Sequence, residues 1–239
     1  MTQRLETLPV FPGGGRQIEH DEQSKNYPAE KGALLREVIW ARYTPILNQM
    51  RLGSCTGNAG TGLLGTSPFY LSLPKAVQDA LNVDFAIKLY EDATVVDGFP
   101  GQYPPDDTGS SGLAIGKVLR RRKMIKWYGH AFGIEHTLRA LTKRPGITGI
   151  PWLNSMFDTD SNGRVKVDRT SGIAGGHEVL VRGYSLTNLD PNNLVGRVLC
   201  DNEWDTSWGD KGSFEIDVQD YAWLLSQQGD FMTATPIAA

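Results

Sequence analysis

A histidine and an asparagine stand at the outer ends of two strand-like segments, HEVLVRGYS and GRVLCDN. The linker between the segments, LTNLDPNNLV, contains residues that favour a turn. A hairpin that is symmetric about this turn predicts that His177 faces Asn202 and that Val179 faces Cys200. Directly opposed residues have Cβ atoms about 4.5–5.5 Å apart, so the carboxamide oxygen of Asn202 could accept a hydrogen bond from the imidazole. Such a bond would hold the ring in one orientation for acid–base chemistry.

A cysteine that could serve as nucleophile follows a Gly-Ser turn in the segment NQMRLGSCTGNAGTG. If Cys55 begins a helix, the unpaired N–H groups and the positive end of that helix favour its thiolate. A cysteine at a helix start beside an imidazolium can have a pKa of about 3–4. The resulting ion pair supplies both a nucleophile and a general acid. Gln49 precedes Cys55 in the same segment, and its amide could join the Cys55 backbone N–H as a donor to an oxyanion.

Three segments, in this order along the chain, resemble the active-site blocks of the papain-like cysteine proteases. The first contains Gln49 and Gly-Ser-Cys55, the second is Gly176-His177 in a strand that ends in Gly-Tyr, and the third, NEWDTSWGDKG, begins at Asn202. The resemblance implies that Cys55 is the nucleophile and His177 its partner. It implies likewise that Asn202 orients the histidine and that Gln49 donates to the oxyanion.

The same resemblance implies three substrate-binding positions. Trp204 would shield the hydrogen bond between the asparagine and the histidine from solvent. Gly109, in the segment DDTGSSGLAIGKVL, stands where the family's glycine strip bonds the backbone of an extended substrate. Gly176, immediately before the histidine, is assigned to the same surface. The resemblance implies no cofactor.

Several positions depart from the usual pattern of the family. Thr56 follows the cysteine where an aromatic residue is usual, and Asp205 follows the first tryptophan of the third block where glycine is usual. The chain has only two cysteines, Cys55 and Cys200, which are too few for a disulfide framework. No long helical pro-segment is expected before Gln49. These features indicate a compact, disulfide-free member of the kind suited to a reducing compartment.

The periodicity of the sequence predicts an α+β fold. Residues 1–45 are irregular and are expected to pack on the β lobe. Residues 46–145 are predicted to form a helical lobe that carries the nucleophile, and residues 146–239 a β-rich lobe that carries the histidine and asparagine. The resemblance implies a papain-like two-lobe fold, in which a helical lobe and an antiparallel β-barrel-like lobe have the active-site cleft between them.

Three helices and five strands are predicted within these regions. The predicted helices cover PKAVQDALNVDFAIKLYEDAT, SGLAIGKVLRRRKMIKWYG and GIEHTLRALTKRPG, the second beginning after Ser110 or Ser111 and ending at Gly129. The predicted strands are ITGIPWL, GRVKVD, HEVLVRGYS, GRVLCDN and GSFEIDV.

Composition bears on the possible partners. The chain has 239 residues and a formal net charge of −3, which gives no reason to expect nucleic acid or a membrane surface. Neither a signal peptide nor a membrane span is found in the sequence, so a cytoplasmic location is expected. The segment DTDSNGRV resembles half of a calcium loop, but Arg169 stands where the bidentate glutamate is needed. A turn is predicted there, and no metal site.

The predicted function is that of a cysteine peptidase, which hydrolyses peptide bonds in a polypeptide substrate through a thioester. Two alternatives use the same frame. One is a thiol amidase or acyl transferase that acts on a cell-wall or isopeptide amide. The other is a non-catalytic peptide-binding or structural module.

Overall fold

The computed structural model describes residues 4–6, 8–20, 24, 26 and 28–237. Seven helices occur among these residues: α1 (Cys55–Leu64), α2 (Phe69–Ser72), α3 (Lys75–Ala80), α4 (Val83–Val96), α5 (Gly112–Arg121), α6 (Ile134–Leu141) and α7 (Val218–Ser226). The strands are β1 (Arg4–Glu6), β2 (Ile18–His20), β3 (Glu37–Ile39), β4 (Ile125–Ala131), β5 (Gly146–Leu153), β6 (Ile173–Asn188), β7 (Val195–Asp201), β8 (Ser213–Asp217) and β9 (Asp230–Pro236).

Seven strands form one antiparallel sheet in the order β4-β9-β5-β6-β7-β8, with β3 paired to β6. The long strand β6 connects the sheet, because its first half pairs with β5 and its second half with β7 and β3. Helices α1, α4 and α5 are mutually packed and precede the sheet in the chain, apart from the short strands β1 to β3. The predicted α+β, two-lobe papain-like fold is confirmed.

Two hydrophobic clusters lie in the described part of the chain, one in each lobe. The first joins the faces of α1, α4 and α5, including Leu63, Leu89 and Ile115, to a few residues of the sheet. The second lies between the sheet and helices α6 and α7 and includes Trp152 and Tyr221. The lobes are therefore separately packed, and the seam between them can hold a chain or a ligand.

Helix α1 is buried along its whole length. Its glycines have low helix propensity, each costing about 1 kcal/mol relative to alanine, but two of them allow close packing. A Cβ on Gly57 would lie 2.3 Å from the backbone oxygen of Ala86, and one on Gly60 would lie 2.7 Å from Ile115. Packing against α4 and α5 therefore holds α1, and with it Cys55, the first residue of the helix.

Two of the three predicted helices differ from the structure. The segment from Pro74 to Thr94 forms two helices, because Asn82 caps α4 by accepting the N–H of Phe85 at 3.0 Å. The next predicted helix does not reach Gly129: α5 ends at Arg121, and Ile125–Ala131 is strand β4, paired to β9. The third is confirmed as α6.

Four of the five predicted strands are confirmed, as β5, β6, β7 and β8. The fifth, GRVKVD, is not a strand. It contributes isolated bridges, including one between Thr159 and Val165 that closes the predicted turn at Gly163. Among the helices of the described residues, none combines the length and apolar character that crossing a lipid bilayer requires.

The predicted register of the β6–β7 hairpin is wrong by two residues at Val181, and the shift grows to three and then four residues toward the turn. Cys200 pairs with Val181 and not with Val179, and Val198 pairs with Tyr184. The shift arises from a bulge between Val181 and Gly183 and from a second irregularity nearer the turn. A bulge adds an unpaired residue to one strand, and nothing in the local pattern marked its position.

Candidate active site

Cys55 lies at the first turn of α1, with Ser54 as the capping residue. Its side chain is fully buried. The backbone N–H groups of Glu178, on β6, and of Thr56, the next residue of its own helix, lower the pKa of this thiol. An influence of Glu178 on the thiol means that the start of α1 lies near the part of β6 that follows His177.

His177 and Asn202 are hydrogen-bonded despite the shifted register. Their contact, from Nε2 to Oδ1, is 2.7 Å long. Because Oδ1 also accepts the backbone N–H of Glu203 at 2.9 Å, the carboxamide oxygen must face the ring, and Nε2 therefore carries the proton. Nδ1 is buried without a hydrogen-bond partner among the described residues. This leaves Nδ1 of the neutral ring as a base.

Three aromatic rings surround this imidazole. Trp204 stacks on His177 with centroids 5.0 Å apart and planes inclined by 24°, and Trp152 meets the ring edge-on at 4.8 Å. Phe11, from the N-terminal region, lies 6.1 Å away. The indole N–H of Trp204 donates to the backbone oxygen of Gly13 at 2.6 Å. Trp204 thus screens the bond between His177 and Asn202 and also contacts the N-terminal region.

Gln49 is buried next to the third sequence block. Its backbone N–H donates to the oxygen of Glu203 at 2.9 Å, and its side-chain nitrogen donates to Leu52 at 2.8 Å. A side-chain amide nitrogen has two hydrogens, so one remains for another acceptor. The structure therefore brings Gln49 to the same loop as Asn202.

A segment of the chain itself covers the cleft between the lobes. In this covering segment, residues 13–17, the N–H groups of Gly15 and Arg16 donate to Gly176 at 3.1 Å. On its other side, Ser110 donates to Gly15 at 2.9 Å and Gln17 donates to Ser110 at 2.6 Å. All five residues are buried. The covering segment thus lies between β6 and the start of α5, where Arg16 forms an isolated parallel bridge with Ser110.

Glycines permit this close approach. A Cβ on Gly109, where φ is +70°, would lie 1.9 Å from the oxygen of Gly15. A Cβ on Gly15 would lie 2.2 Å from the oxygen of Gly53, two residues before Cys55. The structure therefore brings Gly109 and Gly176, both predicted to bind substrate, into contact with the chain's own backbone.

The environment of the two central groups favours their neutral forms. Burial, reinforced by the negative charges of Glu178 and Glu203, raises the pKa of the Cys55 thiol, although two backbone N–H groups oppose the shift. Burial likewise lowers the pKa of His177 to about 4, despite its bond to Asn202. Burial in this covered arrangement therefore favours the neutral thiol and imidazole over the ion pair predicted from the sequence.

The low pKa of His177 predicts an acid sensitivity of the fold. The unfolded imidazole binds a proton near its ordinary pKa of about 6.5, whereas the folded one does so only near 4. Stability must then fall as the pH falls between these values, since the unfolded state binds more protons there. Between about pH 7 and about pH 5, the free energy of unfolding should fall by about 2 kcal/mol more in the wild type than in His177→Gln.

Urea unfolding at a series of pH values measures this difference. The other titrating groups are common to both proteins, so their contributions cancel to first order. Parallel pH profiles for the two proteins would contradict the buried neutral histidine.

Sequence reasoning missed several residues near the site. Arg16, Glu178 and Asp230 form a buried cluster beneath the covering segment, and the carboxylate of Glu203 lies 3.8 Å from the imidazole. The only local signal was the glycine run before Arg16, which the sequence pattern indicated as a turn. In the described part of the chain, histidine, cysteine and acidic side chains nowhere gather in threes as metal ligands would.

Comparisons with known proteins show which solved structures share the fold of this chain. No family profile and no curated protein matches the sequence. Among solved structures, the chain is similar to xylellain, a cysteine protease from Xylella fastidiosa, with a TM-score of 0.66 and 18% identity over 99% of each chain. It is also similar to digestive procathepsin L 3 of Tenebrio molitor, with a TM-score of 0.57 and 15% identity over 94% of this chain and 76% of the other.

A recombinant stem bromelain precursor matches with a TM-score of 0.54 and 13% identity, over 95% of this chain and 77% of that one. Similarity at this identity is a similarity of fold. The chain therefore has the fold of the papain-like cysteine proteases, in agreement with the resemblance of its three sequence blocks.

Proposed function

We propose that this chain is a cysteine peptidase that hydrolyses peptide bonds through a thioester. The observation that carries the proposal is the buried hydrogen bond between His177 and Asn202, from two distant segments, with Cys55 at the start of a third, close enough to Glu178 for that residue to shift the pKa of its thiol. Cys55 and His177 are the catalytic residues, and Asn202 positions the imidazole. Gln49 and the backbone N–H of Cys55 are the oxyanion donors.

The chemistry follows from the protonation states. With substrate in the cleft, Nδ1 of His177 takes the thiol proton, and the thiolate of Cys55 attacks the carbonyl carbon. The oxyanion formed accepts hydrogen bonds from its donors. When the C–N bond breaks, the imidazolium gives its proton to the departing amine. A water molecule, deprotonated by the imidazole, then hydrolyses the thioester and releases the acid and the thiol.

The covering segment supports a peptide as substrate. Its N–H and C=O groups bond to Gly176 and Ser110 on the two lobes, and Arg16 forms a parallel bridge with Ser110. A cleft that satisfies the backbone groups of one segment in this way has donors and acceptors for an extended peptide. This favours a polypeptide over an amide that lacks an extended main chain.

Trapping the acyl-enzyme tests the proposal. A peptide ester is mixed with the protein, the reaction is quenched in acid, and the intact mass is measured. We expect an adduct equal in mass to the acyl group, mapped by digestion to Cys55 and absent from His177→Ala, together with cleavage of an unstructured protein such as casein.

Two outcomes contradict the proposal. The first is neither adduct nor cleavage in a sample whose Cys55 reacts with iodoacetamide, which would indicate a binding module. The second is an adduct formed only with isopeptides or cell-wall peptides, which would indicate an amidase or acyl transferase.

A further inference from the structure

Arg16 carries a guanidinium into the interior of the protein. Its side chain is fully buried, and Nη2 donates to Oδ2 of Asp230 at 2.7 Å and to the backbone oxygen of Gln228 at 2.8 Å. Asp230 is the first residue of β9 and is itself buried. A buried guanidinium is stable only when carboxylate partners offset its loss of water. The depth of this side chain therefore indicates a pocket whose chemistry matches it.

A second acidic side chain lies in the same pocket. Glu178 is fully buried, which together with the charge of Asp230 raises the pKa of its carboxyl group, and neither side-chain oxygen has a hydrogen-bond partner among the described residues. A Cβ on Gly149 would lie 2.3 Å from Nε of Arg16 and 2.8 Å from Oε2 of Glu178. The glycine therefore leaves the space that the guanidinium fills beside Glu178. Asp230, Glu178 and Gly149 therefore line the space around Arg16, and His20 Nε2 lies 3.7 Å from Oδ2 of Asp230.

The position of the pocket relates it to the proposed reaction. Glu178 follows His177 in β6, and its backbone N–H lowers the pKa of the Cys55 thiol. The backbone of Arg16 is bonded to Gly176, which precedes His177. A peptide that entered the cleft by the same backbone bonds would direct one side chain into the space that Arg16 now fills.

We infer that this pocket is a substrate subsite selective for arginine, and that Arg16 occupies it in the resting chain. The inference rests on the proposed function, since it names the side chain that the peptidase recognises. A guanidinium presents five donors in a planar fork that suits carboxylates, whereas the lysine ammonium is a more compact, strongly hydrated charge. A leucine would deprive the buried carboxylate of Asp230 of the guanidinium hydrogen bond that Arg16 now supplies. The expected order of preference is arginine, lysine, leucine.

The affinity of peptides for a catalytically inactive chain tests the inference independently of any turnover. The double variant Arg16→Ala, Cys55→Ala empties the pocket and removes the nucleophile. Fluorescent alanine pentapeptides carry one arginine at each position in turn, and a matched set carries leucine. At one position, arginine should give a Kd at least about tenfold lower than leucine, because hydrogen bonds to a charged group are worth more than neutral ones.

Two further substitutions, each made in the inactive double variant, test whether the preference for arginine arises in the pocket. Asp230→Asn should remove most of the preference for arginine. Asp220→Asn makes the same chemical change on α7, where the side chain is ion-paired with Arg169 at 3.5 Å, and should leave the preference intact. Equal affinity for the arginine and leucine peptides at every position would overturn the inference and leave Arg16 with a purely structural role.

A second measurement covers the case in which the emptied pocket prevents folding, which circular dichroism detects. The ratio of kcat/KM for the arginine and leucine peptides is then measured in the Gly15→Ala chain. In that chain Arg16, Glu178 and Asp230 keep their native side chains. Turnover with no preference for arginine would overturn this inference and leave the peptidase proposal standing. Preferential binding of arginine without any turnover would support this inference and contradict the peptidase proposal.

Discussion

Replacing Gly15 with alanine is expected to raise the rate at which iodoacetamide alkylates Cys55 by about a hundredfold. In the structure, the thiol is fully buried beneath the covering segment. The new Cβ would lie 2.2 Å from the backbone oxygen of Gly53 and 2.7 Å from its Cα. Backbone atoms at that distance cannot yield as a flexible side chain does, so residues 13–17 must move out of the cleft. Mass mapping of the alkylated cysteine at fixed pH gives the rate.

Two controls separate displacement of the covering segment from unfolding. Gly62→Ala adds the same methyl group within α1, where the nearest atoms are 3.5 Å away, and it should leave the rate unchanged. Cys200 is equally buried, but it lies in β7 within the sheet. Labelling of both cysteines in Gly15→Ala would indicate global unfolding. Unchanged labelling of Cys55 would mean that the covering segment does not limit access to the thiol.

The same comparison of cysteines gives the largest expected effect on activity. In the Gly15→Ala chain, Cys55→Ala should lower kcat/KM for a fluorogenic peptide by at least about a thousandfold, because no other group can form the thioester. Cys200→Ala should leave kcat/KM within about twofold, since Cys200 is buried in β7 and takes no part in the proposed reaction, so that its loss acts mainly through stability. Initial rates at low substrate concentration measure both.

The same kcat/KM assay tests the role of His177. His177→Ala should cost about as much as the loss of the cysteine, because residues that act as a unit have strongly non-additive effects. The double variant Cys55→Ala, His177→Ala should therefore be no worse than either single variant. Turnover that survives Cys55→Ala would place the chemistry elsewhere in the chain.

Local patterns were sufficient for most individual elements. The alternation in GSFEIDV predicted β8, which buries every second residue, and HEVLVRGYS predicted β6, which is buried on both faces over most of that segment. The same reasoning failed where one predicted helix is in fact two elements. Asn82 lies inside a predicted helix, but its side chain caps α4 and so begins a new helix. The segment of β4 was predicted as helix because apolar residues also occur at helical spacing there. Its pairing with β9 is a contact between distant parts of the chain, which no local window contains.

The contact between His177 and Asn202 shows how a correct prediction can rest on a wrong register. The two residues are not directly opposed, since the β6–β7 pairing is shifted by a bulge and ends at Leu180 and Asp201. Their side chains nevertheless meet at 2.7 Å, because diagonal neighbours on adjacent strands are also within reach. Residue types predicted the pair more reliably than the geometry assumed for it.

The amino-acid sequence by itself determined the chemical inventory of this protein and the order of its parts. A cysteine after a Gly-Ser turn, a histidine that opens a strand and an asparagine before two tryptophans are local features, and their order predicted the fold. Only the tertiary structure decided that residues 13–17 cover the site and that Arg16 enters a pocket with Asp230 and Glu178. The ionisation of the site was decided there too, since a pKa depends on how much water and charge surround a group. Those surroundings come from segments far apart in the chain, and they form only when the lobes and the covering segment pack together.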